Sequence, residues 1–282
     1  MQIIRDLGAL RESVSRLKGQ GREIALVPTM GALHNGHIAL VREAARNDRA
    51  VIVSIFVNPL QFDPAEDFDA YPRDEAQDLS LLEAEGVAVA WLPDVATMYA
   101  QDHKTSIHVA SLGDSLEGLV RPGHFAGVAT VVAKLFNQVG PDIALFGEKD
   151  FQQLAVIRQM VRDLDLAVSI EAVATLRADD GLALSSRNAY LTADERTVAA
   201  ALPRILNAAA DAIRKGADLA ITLAGAPPAL IRAGFTSVDY FELCDASSLQ
   251  PLLGLNRNAR LLVAARLGTT RLIDNIAVDR AS

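Results

Sequence analysis

The chain has 282 residues, half of them hydrophobic, which is enough for one large or two moderate domains and too apolar for a disordered protein. Asp and Glu outnumber Lys and Arg by 35 to 27 with no dense basic block, so a nucleic-acid backbone is a poor partner. The lone Cys244 excludes an internal disulfide and a Cys-based zinc centre, and is expected to be a small buried thiol in a reducing, cytoplasmic setting. No stretch approaches the ~20 apolar residues that span a bilayer, and the charged amino terminus reads as unprocessed.

From the start to about Ala174, short apolar runs alternate with helical periodicity, the pattern of βα units that build a mostly parallel sheet. Leu7, Leu10, Val14 and Leu17 mark a first amphipathic helix, and residues 24–27 a buried strand. Residues 37–46 read as helix and 50–57 as a second strand, apolar enough to be covered on both faces. Further strands are expected at 87–92 and 143–146, and helices at 75–85, 127–138 and 151–164.

The composition shifts near residue 177. After the polar stretch Arg177-Ala178-Asp179-Asp180-Gly181 come an alanine-rich helical region at 192–215, interrupted by Pro203, and another helix at about 219–233. Three closely spaced strand patterns at 237–243, 260–267 and 270–276 then predict a small antiparallel sheet. The expected fold is therefore α/β: a Rossmann-like, mostly parallel domain over residues 1–176, then a smaller α+β domain over 177–282 with a three-stranded antiparallel sheet.

In a parallel sheet, ligands bind beyond the carboxyl ends of the strands, where helix amino termini converge. The stretch PTMGALHNGHIAL, residues 28–40, falls at such a place. His34 is expected just before the helix and His37 in its first turn, with Gly36 giving close access to backbone and Asn35 adopting an unusual φ or capping the helix. Two imidazoles there suit phosphate oxygens, but the pair alone leaves a metal site or plain packing open. Asn58-Pro59-Leu60-Gln61-Phe62 places amide side chains after the second strand, and Gly147-Glu148-Lys149-Asp150-Phe151-Gln152-Gln153 places a cation and a carboxylate after the strand at 143–146. The loop Gly181-Leu182-Ala183-Leu184-Ser185-Ser186-Arg187-Asn188 offers two hydroxyls and a guanidinium to an anion. In Arg121-Pro122-Gly123-His124-Phe125-Ala126-Gly127, a glycine-bearing loop before a helix, His124 reads as structural.

In this order, PTMGALHNGH, FVNPLQF, YPRD, RPGHFAGV, FGEKDFQQL and GLALSSRN closely resemble the pantothenate synthetase family, the pantoate–β-alanine ligases of the class I nucleotidylyltransferase superfamily. The resemblance runs from about Ile24 to Asn275; the HxGH element alone is shared more widely, whereas the six motifs together are specific. Leu60, Asp63, Asp74, Ala174, Ala178 and Leu184 depart from the family's usual residues. The resemblance implies ATP-dependent condensation of (R)-pantoate with β-alanine to pantothenate, AMP and pyrophosphate through a pantoyl adenylate, on the route to coenzyme A. It implies no tightly bound cofactor, Mg²⁺ that travels with ATP, no nucleic-acid or membrane partner, and a homodimer.

Carried over position by position, the resemblance implies that His37 and His34 meet the phosphates, Lys149 neutralises them, and Ser185, Ser186 and Arg187 clamp the triphosphate in the manner of a KMSKS-type loop. Gly147 and Asp150 would hold the ribose, with Met30 and Leu184 completing the ATP set. Gln61 and Gln153 would orient pantoate, with Met30, Asn58, Tyr71 and Arg121 lining or supporting that site. The first domain would then bind ATP and pantoate and the second would act as a lid.

Overall fold

The structure is a computed structural model that describes residues 1–62, 71 and 73–279. It divides into two compact units, Met1–Glu148 with Gln152–Ala174, and Lys149–Phe151 with Thr175–Ser282. Asp63 lies outside the described residues, as does Pro72 within the YPRD motif.

The first unit is built on a parallel sheet of β1 (Gln2–Ile4), β2 (Ile24–Thr29), β3 (Ala50–Ile55), β4 (Val89–Trp91), β5 (Ile143–Gly147) and β6 (Ser169–Val173), in the order β1-β4-β3-β2-β5-β6. Four strands follow the apolar runs expected of them because Ile24, Leu26, Val27, Ile52, Val53, Ala90 and Leu145 are sealed from water. The two edge strands escape periodicity: β1 has three residues, and Ser169–Val173 is half-exposed with Glu171 paired to Arg49 at 3.2 Å. The order reverses between β2 and β5, whose neighbouring carboxyl ends form the switch point where open α/β sheets take their ligands.

The helices begin where side chains satisfy free backbone N–H groups. Asp6 Oδ1 accepts from Ala9 N at 2.9 Å ahead of Leu7–Gly19, and Asp74 Oδ1 accepts from Gln77 N at 3.0 Å ahead of Glu75–Ala84. The helix His124–Val139 buries an almost continuous face that includes Phe125, Val128, Val132 and Phe136. Its Gly127 lies against the turn Pro59–Gln61, where an added Cβ would stand 2.2 Å from the Leu60 carbonyl oxygen.

The second unit packs helices against an antiparallel sheet of β7 (Ser237–Asp245), β8 (Ala259–Leu267) and β9 (Thr270–Val278), in that order. Leu267 pairs with Thr270 across the Gly268-Thr269 turn, and Gly268 takes the positive φ of 57° that such a tight connection favours. Leu202, Leu206, Ile213 and Leu230 from the helices meet Leu243, Leu261 and Val263 of the sheet in one core. One expectation needs correction: the helical region of 192–215 breaks at Ala200, not at Pro203. Thr192 and Glu195 form a capping box for Ala193–Ala199, and Pro203 sits in the first turn of Ala201–Arg214, where its missing N–H has no intrahelical acceptor to lose.

Gly127→Ala drives a methyl into backbone that cannot rotate away. Chemical denaturation is expected to show a loss of about 2 kcal/mol, with an unchanged midpoint counting against this packing.

Candidate active site

Residues singled out from the sequence fall on both units, and each set is described in its own unit. In the first, the chain leaves β2 at Thr29 and enters the helix Asn35–Ala44 through a turn in which Gly31 (φ 82°) and Ala32 (φ 50°) are left-handed. The N-cap is His34, just before the helix as expected; Asn35, expected to adopt an unusual φ or to cap, is instead the first helical residue and is exposed. The His34 ring nitrogen takes the Gly36 N–H, which in the first turn has no intrahelical acceptor.

The two histidines form a reciprocal cap. His34 Nδ1 accepts from Gly36 N at 3.0 Å, and His37 Nδ1 accepts from His34 N at 3.3 Å. A neutral imidazole that accepts at Nδ1 carries its proton on Nε2, so the backbone fixes the same tautomer in both rings. The rings lie 4.2 Å apart between centroids, at the amino terminus of one helix and both half-buried. The helix start adds the positive end of its dipole, which favours an anion. Zinc would need at least a third donor; among the described residues no three His, Cys, Asp or Glu side chains gather as a metal site.

Asp78, which no sequence motif marks, holds the turn ahead of His34. Its carboxylate is 3% exposed and accepts from Ala32 N at 2.9 Å and Leu33 N at 2.7 Å. Burial raises its pKa, while the Leu33 and Ala32 amides pull the other way. A Cβ at Gly31 would come within 2.9 Å of the Asp78 oxygen, so carboxylate and turn fit only with glycine there. Nothing in EAQDLSLLEA separates Asp78 from its solvent-facing acidic neighbours.

At the end of β3, Asn58 is a buried junction. Its Nδ2 donates to Gln61 Oε1 and to the Gly127 carbonyl, both at 3.1 Å, while its Oδ1 accepts from the Tyr99 hydroxyl at 2.8 Å. Gln61 Nε2 in turn donates to Met30 Sδ at 3.0 Å, which joins the β2 and β3 ends through side chains. Arg121 and His124 grip the Gln61 backbone: His124 Nδ1 donates to the Gln61 carbonyl at 2.8 Å, and Arg121 donates to the same oxygen at 3.3 Å and to His124 Nε2 at 3.0 Å. The structure thus brings together Met30, Asn58, Gln61 and Arg121. Tyr71 packs its ring edge-on against Phe62 at 5.8 Å between centroids.

Beyond β5, Gly147 ends the strand half-buried. Gln152 and Gln153 have parted roles: Gln152 is 4% exposed and ties down the Leu112 and Ser115 carbonyls and the Glu117 amide, whereas Gln153 is half-buried with no described side-chain hydrogen bond. Only Gln153 keeps its amide for another task.

In the second unit, Lys149 Nζ lies 3.8 Å from Asp150 Oδ1. The loop that follows Arg177 folds back on itself, with Arg177 bridged to Ala183, Leu184 N donating to the Leu176 carbonyl at 2.9 Å, and Gly181 at φ 88°. Ser185 then opens the short helix Ser186–Tyr190 by accepting from Arg187 N at 3.3 Å. A cavity within this unit is lined by Lys149, Ser185, Arg187, Asn188 and Asp274, so two of the expected clusters share one wall. Cys244 is buried, and burial raises its thiol to about 12, which removes it as a nucleophile.

The departures noted in the sequence leave this geometry intact where it is described. Ala178 and Leu184 act through backbone, Asp74 caps a helix, and Leu60 is exposed with its carbonyl against Gly127.

Asp78→Asn keeps the shape but offers one acceptor where two N–H groups point. Amide exchange at Ala32 and Leu33 is expected to accelerate at least ~10-fold, the scale of one lost hydrogen bond to a charged group, with a lower melting temperature. Unaltered protection at both amides would exclude Asp78 as the restraint on this turn.

The comparisons with known proteins agree with one another. A family model for pantoate-beta-alanine ligase matches residues 2–277. Pantothenate synthetase from Sphingopyxis alaskensis is 61% identical over 278 residues, which cover 99% of this chain and 100% of that protein. The crystal structure of pantothenate synthetase from Thermus thermophilus superposes with a TM-score of 0.93 at 44% identity, covering 99% of this chain and 100% of that one. That of pantoate-beta-alanine ligase from Francisella tularensis, complexed with beta-gamma ATP and beta-alanine, gives a TM-score of 0.81 at 34% identity, with 98% and 97% covered.

Proposed function

The chain belongs to the pantoate–β-alanine ligase family, and on that premise we propose how its own residues divide the reaction. The activity is ATP-dependent ligation of pantoate to β-alanine, giving pantothenate, AMP and pyrophosphate. ATP is a substrate; we read Mg²⁺ as arriving with it, held by phosphate oxygens and water.

In the first step a pantoate carboxylate oxygen attacks the α-phosphorus, and the bond to the β-phosphate bridging oxygen breaks, with the electron pair leaving on pyrophosphate. In the second, the β-alanine amine attacks the acyl carbon, the amide C–N bond forms, AMP departs and the amine proton passes to solvent. Neither step needs an enzyme nucleophile. The work is alignment and stabilisation of charge on phosphate oxygens.

The observation that carries the reading is the paired imidazole cap at the β2–β5 switch point. Both Nδ1 atoms accept from backbone donors, so each ring carries its proton on Nε2, the group we assign to a phosphate oxygen. His37 is assigned to the α-phosphate and His34 to the departing pyrophosphate. Lys149, Ser185, Ser186 and Arg187 neutralise and clamp the triphosphate. Gly147 and Asp150 take the ribose, and Met30 and Leu184 complete the nucleotide contacts.

Pantoate is assigned to Gln61 and Gln153, whose amides donate and accept toward its carboxylate and hydroxyls. Asn58 and Arg121 support Gln61, and Met30 and Tyr71 line the same region. The reading includes the second unit as a lid and a homodimer as the working form. A cytoplasmic setting accords with the single buried cysteine and with the lack, among the described residues, of a helix long and apolar enough to cross a membrane.

Pantoate-dependent exchange of pyrophosphate into ATP isolates the first step. His37→Ala is expected to cut it at least ~100-fold, the usual scale for removing a charge-stabilising donor, while the protein stays folded. Near-normal exchange in that variant would sink the assignment.

A further inference from the structure

The antiparallel strand β9 carries two polar residues, Asp274 and Asn275, in the middle of an apolar run, and both are buried at 2% and 4% exposure. Asp and Asn are depleted in strands, and unpaired polar groups at that depth are costly, so their partners account for their presence. Asp274 accepts a bidentate pair from Arg177, at 2.7 and 2.8 Å, and also the Asn275 N–H at 2.7 Å. Arg177 reaches on to the Gly181 carbonyl at 3.0 Å, at the turn of the loop that leads to Ser185 and Arg187.

Asn275 uses both ends of its amide. Its Oδ1 accepts from Arg260 Nε at 2.6 Å, and its Nδ2 donates to the Lys149 carbonyl at 2.8 Å. Arg260 in turn stacks over the Phe151 ring, 4.2 Å from its centroid, which fixes the chain two residues beyond Lys149. One dipeptide thus restrains the backbone of the lysine and, through Arg177, the turn that leads into the serine–arginine loop.

We propose that Asn275 is a positioning residue for Lys149, acting through the hydrogen bond from its side-chain amide to the Lys149 carbonyl, with the Arg177–Asp274 pair holding the Gly181 turn to the same strand. The inference rests on the reading of Lys149 as a phosphate ligand and adds how its ammonium is aimed. Lys side chains carry several rotatable bonds, so the backbone of Lys149 is the part of it that the fold can set in advance. Asn275 does not itself meet a substrate.

Asn275→Asp keeps the volume and the acceptor for Arg260 but turns an oxygen toward the Lys149 carbonyl. In the exchange assay on the full chain, KM for ATP is expected to rise about tenfold, the scale of one lost hydrogen bond, with KM for pantoate unchanged. A merely structural residue would lower the active fraction and leave both KM values alone.

The decisive form is a double-mutant cycle: in a Lys149→Ala background the Asn275 substitution is expected to add nothing. Additive losses, or an unchanged KM for ATP in Asn275→Asp, overturn the inference while the reading of Lys149 stands. A Lys149→Ala enzyme with normal KM for ATP overturns that reading and the inference with it. Should Asn275→Asp fail to fold by circular dichroism, Asn275→Ala, which removes the amide without adding charge, enters the same cycle.

Discussion

The face of the first unit that we assign to phosphate depends on a helix cap in which two imidazoles take the places that Ser and Glu usually fill. A reciprocal cap normally serves the helix alone. Here the capping atoms are the Nδ1 nitrogens of His34 and His37, so the bonds that start the helix also set the tautomer and pitch of both rings. Stability and chemistry share one set of hydrogen bonds.

The surrounding structure can be understood as support for that cap. Asp78 clamps the left-handed turn ahead of it, at the cost of burying a carboxylate, and β2 delivers the turn to the switch point of the sheet. Asn58 and its partners do the equivalent for Gln61, through a buried amide with both ends satisfied. In the second unit Asp274 and Asn275 play the same part for Lys149 and for the turn at Gly181. In each case a buried polar side chain, directly or through a partner, restrains a residue whose more exposed side chain is assigned to substrate.

This division explains what could be read in the residues and what could not. Runs such as Ile24-Ala25-Leu26-Val27 announce themselves because a strand buried on both faces is apolar without interruption, and the six motifs mark where those runs end. The half-exposed edge strand Ser169–Val173 has no such pattern. His34 and His37 were legible as a pair, but the sequence does not show that their ring nitrogens take the Gly36 and His34 N–H groups as a reciprocal cap. The supporting carboxylate of Asp78 looks like any surface acid, since only the fold brings it to Ala32 and Leu33. Asp274-Asn275 leaves a trace, a polar pair inside an apolar strand, but the sequence does not show that Arg177, Arg260 and the Lys149 carbonyl are its partners.

The central claim is that backbone donors hold both imidazoles with the proton on Nε2, ready to meet phosphate oxygens. Histidine nitrogen NMR on isotope-labelled protein above neutral pH, without nucleotide, reads that directly. For His34 and His37 it should report protonated Nε2 and unprotonated, hydrogen-bonded Nδ1, and the protonated Nε2 signals should shift when ATP is added. Protons on Nδ1 in either ring would contradict the account, because the cap could not then form as described.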